Sequence, residues 1–126
     1  PVSCAAALAV MDIMKRDDYA GKARHIGEVV MKRYKELQEK YPVIGDVRGL
    51  GAMIGIELVK DKETKEPATE LTAKLIQNAI QKGLLLENCG TAGNVVRFLA
   101  PLTMTDEQME KGLEIFEASL KEAMEA

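Results

Sequence analysis

In the run Val95-Val96-Arg97-Phe98-Leu99 a guanidinium interrupts an otherwise apolar, strand-like stretch. A permanently charged group in such a setting needs an anionic partner. Two kinds of partner would serve. One is internal, an ion pair with Glu57 or Glu87 on a neighbouring strand. The other is a ligand carboxylate, whose two oxygens match the planar fork of arginine better than they match the point charge of a lysine. The run Cys89-Gly90-Thr91-Ala92-Gly93-Asn94 just before it would let a ligand come close to the backbone. The pattern alone leaves both readings open.

The other residues with chemical potential read as structural. Gly49-Leu50-Gly51 lacks the third glycine and the following helix of a dinucleotide-binding loop, so the two glycines are expected to supply a tight turn and positive φ. His25 sits in a helix near Arg24 and Glu28 with no nucleophile or second ligand, which predicts a solvated surface residue. Cys4 and Cys89 stand far apart without a CxxC or a nearby histidine, so neither a disulfide framework nor a metal site is expected. The seven methionines occupy apolar positions as core filler.

Helical spacing of Ala5, Leu8, Ala9, Asp12 and Ile13 predicts a helix from Pro1 to about Arg16, whose small residues would let another backbone approach. Asp17 and Asp18 offer caps for a second helix to about Tyr41, with Ala23, Ile26, Val30, Tyr34 and Leu37 on its core face. Beyond Pro42 come an extended stretch, Val43 to Val47, and an alternating strand, Ala52 to Val59. A third helix, Leu71 to Lys82, stops at Gly83. Leu84 to Glu87 and Val95 to Leu99 read as short strands. Thr105 and Gln108 form a capping box for the last helix, with Met109, Leu113, Phe116, Leu120 and Met124 inward. The expected fold is α+β, a small mostly antiparallel sheet with helices packed on one face.

The 126 residues are 47% hydrophobic and 29% charged, enough for one domain with a real core. A net charge of −3 lacks the basic excess that nucleic-acid binding requires. No apolar run approaches the roughly 20 residues that span a bilayer, and no leader precedes the first helix, so no membrane association and a cytoplasmic setting are expected. Pro1 opens straight into an uncapped alanine-rich helix, which reads as a piece of a longer protein.

Four segments, Pro1 to Ala9 (PVSCAAALA), Asp46 to Leu58 (DVRGLGAMIGIEL), Lys82 to Leu85 (KGLL) and Asn94 to Leu102 (NVVRFLAPL), resemble the C-terminal part of class III pyridoxal-phosphate aminotransferases. Within that class the likeness is greatest to the 4-aminobutyrate aminotransferases, and it runs the length of the chain. The resemblance implies that residues 1–126 are the small C-terminal domain of a fold-type I enzyme that moves an amino group from an ω-amino acid to 2-oxoglutarate. It implies that the arginine of the N-x-x-R-x-x-x-P-L segment, Arg97, binds the α-carboxylate of glutamate or 2-oxoglutarate. The lysine that holds pyridoxal 5'-phosphate (PLP), and most contacts to that cofactor, would lie upstream, leaving no catalytic residue in this stretch. Small amino acids and 2-oxo acids would be the ligands, and the whole enzyme a homodimer or higher homo-oligomer. Where relatives often carry an aromatic residue this loop reads Gly90-Thr91-Ala92-Gly93, which leaves the amino donor open. A reading from another class is a freestanding α+β module that binds a small carboxylate and regulates a partner.

Overall fold

The computed structural model describes residues 1–125. The elements run α1 (Val2–Arg16), α2 (Tyr19–Lys40), β1 (Ile44–Leu50), β2 (Met53–Leu58), α3 (Thr69–Gln81), β3 (Glu87–Cys89), β4 (Val95–Phe98) and α4 (Asp106–Glu125). Their order and type match the expected α+β layer, and the sheet, ordered β1-β2-β4-β3, is antiparallel at every pairing.

Strand alternation sorts the sheet into two faces. Val47, Ile54, Ile56, Leu58 and Val96 point to the helices and are buried with Ile26, Val30 and Tyr34 of α2, Leu75 of α3, and Leu113, Phe116 and Leu120 of α4. Tyr34 and Phe116 meet edge to face at 4.9 Å between ring centroids, tying α2 to α4. Asp46, Arg48, Gly55, Glu57, Val95, Arg97 and Glu87 lie on the other face, which no helix covers.

The helix ends follow from local chemistry. Asp18 takes a left-handed conformation (φ 44°) and its carboxylate accepts from the Gly21 amide at 3.0 Å, which turns the chain from α1 into α2. The Thr105–Gln108 capping box closes in both directions, at 3.0 and 3.2 Å. α3 begins two residues earlier than its apolar pattern suggests, and Gly83 follows it with φ +86°.

Two expectations are corrected. The ladder of β3 begins at Glu87, because Leu84 and Leu86 turn their side chains to the core instead of pairing, leaving Leu85 exposed. In the last turn of α4 it is Ala123 that is buried while Met124 is exposed, and Ala23 of α2 is only half-buried. No residue of α1 is buried, and Val2, Leu8, Val10, Met11 and Met14 all face outward.

Gly27 of α2 lies against the β1–β2 turn so closely that a Cβ there would sit 2.4 Å from the Gly51 carbonyl oxygen. That neighbour is backbone and cannot swing aside. Gly27→Ala is therefore expected to destabilise the chain by about 1–3 kcal/mol, against the roughly 1 kcal/mol that alanine would gain in a free helix. The urea midpoint should fall at unchanged m-value. An unchanged or higher midpoint would contradict the close approach.

On α4, Glu117 accepts from Lys40, from Tyr41 Oη at 3.0 Å and from Arg33 Nη2 at 3.0 Å. These donors, the Lys40 hydrogen bond foremost, hold its pKa below the ordinary value of 4.5. With the folded value depressed, the network stabilises the fold above the unfolded pKa and loses that contribution as pH falls through the folded one. Glu117→Gln should cost about 1 kcal/mol at neutral pH. The stability curves of the two proteins should converge as pH is lowered below 4.5, a difference that acid titration of the urea midpoint would reveal.

Candidate functional site

The sheet register places Arg97 at the centre of the uncovered face. Its β4 position pairs with Gly55 of β2 on one side and with Glu87 of β3 on the other. Arg97 Nη2 donates to Glu87 Oε2 at 2.6 Å, and the side chains are 45% and 59% exposed. That hydrogen bond, helped by the nearby negative charge, raises the guanidinium pKa above its ordinary value. Glu57, the other partner considered from the sequence, belongs to Arg48: Arg48 Nη1 donates to Glu57 Oε2 at 2.7 Å and to Asp46 Oδ2 at 2.8 Å. Arg97 thus has an internal partner, yet Nε and Nη1 bind nothing among the described residues.

What holds β4 in place is a residue whose role the sequence reading passed over. Asn94 is buried, and its Nδ2 donates to the Leu58 carbonyl at 2.8 Å while the Leu58 amide donates to the Asn94 carbonyl at 2.8 Å. The loop before it is tied to the start of α3, since Thr69 Oγ1 donates to the Ala92 carbonyl at 2.7 Å. Gly90 (φ +82°) and Gly93 (φ +64°) take conformations that L side chains rarely adopt. A buried asparagine next to a glycine run was the available signal, because a buried amide must find partners. Glu87 was seen only as one of two alternatives, and Gly55 not at all.

The surroundings of Arg97 are unlike an ordinary wet surface. Leu50, Met53 and Leu99 are 87%, 70% and 72% exposed around the sheet edge and turn. Exposed apolar residues of this size are the kind of surface that interaction sites use. Of the two glycines expected to supply positive φ only Gly51 does, at φ +55°, while Gly49 lies within β1; no phosphate-binding helix follows the turn. His25 is half-exposed as expected, and its Nε2 lies 2.7 Å from Asp106 Oδ1, joining the second turn of α2 to the first turn of α4. Both cysteines are free. Among the described residues no cluster of three or more His, Cys, Asp or Glu is placed to hold a metal, and no helix is long and apolar enough to cross a membrane.

The same fold recurs among transaminases of known structure. An amine transaminase from an uncultivated Pseudomonas species, described in its PLP-bound form, matches 98% of this chain and 28% of its own at a TM-score of 0.85 and 34% identity. The chain belongs to the class-III aminotransferase family, whose model matches residues 1–120. It is 47% identical over 115 residues to the 5-aminovalerate aminotransferase DavT of Pseudomonas aeruginosa, covering 91% of this chain and 27% of that protein. It is 43% identical over 123 residues to the 4-aminobutyrate aminotransferase GabT of Escherichia coli, covering 98% of this chain and 29% of that protein. The chain therefore spans less than a third of the length of these relatives.

The lysines of this chain do not fit the Schiff-base role that PLP chemistry calls for. A lysine that captures an aldehyde must be deprotonated, which calls for desolvation or a cationic neighbour. Here every lysine lies at the surface. The two whose pKa is displaced, Lys40 and Lys60, are pushed up by hydrogen bonds to Glu117 and Glu66. The 126-residue chain mixed with PLP and reduced with borohydride should accordingly show slow labelling scattered over surface lysines. Stoichiometric capture by one lysine, read by peptide mapping, would overturn this conclusion.

Proposed function

We propose that this chain is the C-terminal, substrate-binding domain of a longer PLP-dependent aminotransferase that transfers an amino group from an ω-amino acid, 4-aminobutyrate first among the candidates, to 2-oxoglutarate. PLP, held by residues outside this chain, supplies the electron sink for that chemistry. Arg97 is the receptor for the carboxylate beside the reacting carbon of glutamate or 2-oxoglutarate. The observation that carries the reading is a guanidinium on the uncovered sheet face with two of its three nitrogens unengaged, next to a backbone made bare by Gly55. The names of the relatives favour ω-amino donors, since DavT is named for 5-aminovalerate and GabT for 4-aminobutyrate. The apolar residues left outward on α1, and those rimming the Arg97 face, are surfaces that further protein would cover, in keeping with a cytosolic homodimer or higher homo-oligomer.

The experiment separates the two half-reactions. A dicarboxylate carries a carboxylate next to the reacting carbon, whereas an ω-amino acid has only hydrogen there. In the full-length enzyme Arg97→Ala should slow the half-reaction with glutamate or 2-oxoglutarate by about 30-fold or more, the scale of a lost Arg–carboxylate pair, and leave the 4-aminobutyrate half-reaction much less affected. Arg97→Lys should restore little, because an ammonium cannot reproduce the fork. Single-turnover absorbance of each half-reaction gives both numbers. Equal losses in the two halves would mean that Arg97 serves only to hold the sheet together.

A further inference from the structure

Between the end of β4, the Leu84–Leu86 segment and the first half of α4 lies a partly enclosed cavity of about 130 Å³. Leu85 and Leu99, both exposed, stand at its mouth, and Tyr34, Met109 and Leu113, all buried, line it within. Gly112 lines it too, from the interior of α4, where glycine weakens a helix relative to alanine. No close approach demands that glycine: the nearest packed neighbour of a Cβ there would be Leu84 Cδ1 at 3.8 Å, an ordinary van der Waals distance. What a longer side chain at 112 would take up is the cavity itself.

Tyr34 adds one polar group to these apolar walls. The residue is 2% exposed, with its ring edge to face against Phe116. A buried tyrosine hydroxyl ordinarily finds a partner, yet this one makes no hydrogen bond among the described residues. It is also absent from the side-chain atoms sealed from solvent without a partner, which are Arg33 Nε and Ser119 Oγ. The hydroxyl therefore has open space before it, and the space that Tyr34 lines is this cavity. Burial pushes its pKa up, so it keeps its proton and stands ready to donate. The other polar side chains of the lining are engaged, Gln108 Oε1 by the Thr105 amide and Arg97 Nη2 by Glu87.

A buried water needs about two to four polar partners, more than one hydroxyl among leucines and methionines supplies, whereas an apolar cavity of about 150 Å³ takes a benzene ring. We propose that this cavity is a binding site for a small monocyclic aromatic molecule carrying one hydroxyl, its ring among Leu85, Leu99, Met109 and Leu113 and its oxygen accepting from Tyr34 Oη. The site borders β4 but stands on observations separate from the role proposed for Arg97.

The test uses the full-length protein and phenol, with benzene as the ring alone, both titrated by ligand-detected NMR. Phenol should bind with a Kd of about 1 mM, a modest affinity for so few atoms. Benzene should bind about two- to tenfold more weakly, the range of one net hydrogen bond. Tyr34→Phe should bring phenol down to the level of benzene and leave benzene unchanged. Gly112→Leu should abolish binding of both ligands while the thermal midpoint holds or rises, since it fills the cavity and removes a helix glycine. The site is overturned if phenol does not bind, if it binds Gly112→Leu as well as the original protein, or if Tyr34→Phe weakens both ligands alike. Should Gly112→Leu fail to fold, Tyr34→Phe decides alone: a loss confined to phenol supports the site, and no loss overturns it.

Discussion

The β2–β4 register is the constraint on which the site depends. Ile56 opposite Val96 and Ile54 opposite Phe98 face the helices, so Gly55 opposite Arg97 must face away. Side chains alternate with a period of two, and a slip of one residue would drive Arg97 into the core while carrying Val96 to the outside. The apolar pattern penalises that slip, but β4 has only four residues to resist it. Asn94 adds the local restraint. Its reciprocal bonds with Leu58 fix the last residue of β2 against the first turn into β4, in a buried position where either group left unpaired would be costly.

With the register set, the rest of the layer follows from where apolar surface can go. α2, α3 and α4 fill one face with close-packed side chains around Tyr34 and Phe116. The other face keeps its charged and glycine positions in water, together with Leu50 and Met53 at the hairpin tip. α1 stands apart from both, joined to α2 by the Asp18 turn and burying nothing. The domain is thus finished on one side of its sheet and open on the other.

Those features that obey a period were legible in the sequence. The core face of α2 from Ile26 to Leu37, the alternation of β2 and the capping box of α4 each follow from local spacing, and each is found as expected. The misplacements fall where local pattern and tertiary need diverge. Leu84-Leu85-Leu86 looks like a strand by composition, yet two of its three leucines are drawn into the core. Met124 continues an apolar stripe on paper, but helix geometry turns Ala123 inward in the last turn of α4. The partner of Arg97 could not be chosen between Glu57 and Glu87 without the register, because both are acidic residues on strands and only pairing decides which lies opposite. The carboxylate-binding role proposed for Arg97 came from a family resemblance and not from pattern at all.

The contrast between the two arginines suggests how a strand arginine is kept available. Both have Gly55 as a neighbour, both are roughly half exposed, and both lie on the same face. Two acidic residues surround Arg48 and one reaches Arg97. Arg48 has its charge met by two carboxylates, though both reach only Nη1, whereas Arg97 has one and gains a bond whenever a planar anion replaces that single contact. Gly55 contributes by its lack of a side chain: a Cβ there would come within 3.3 Å of Val95 Cγ1 and would stand on the floor between the guanidinium groups. The carboxylate-receptor role proposed for Arg97 would draw on this local shortage of acids and of side-chain bulk.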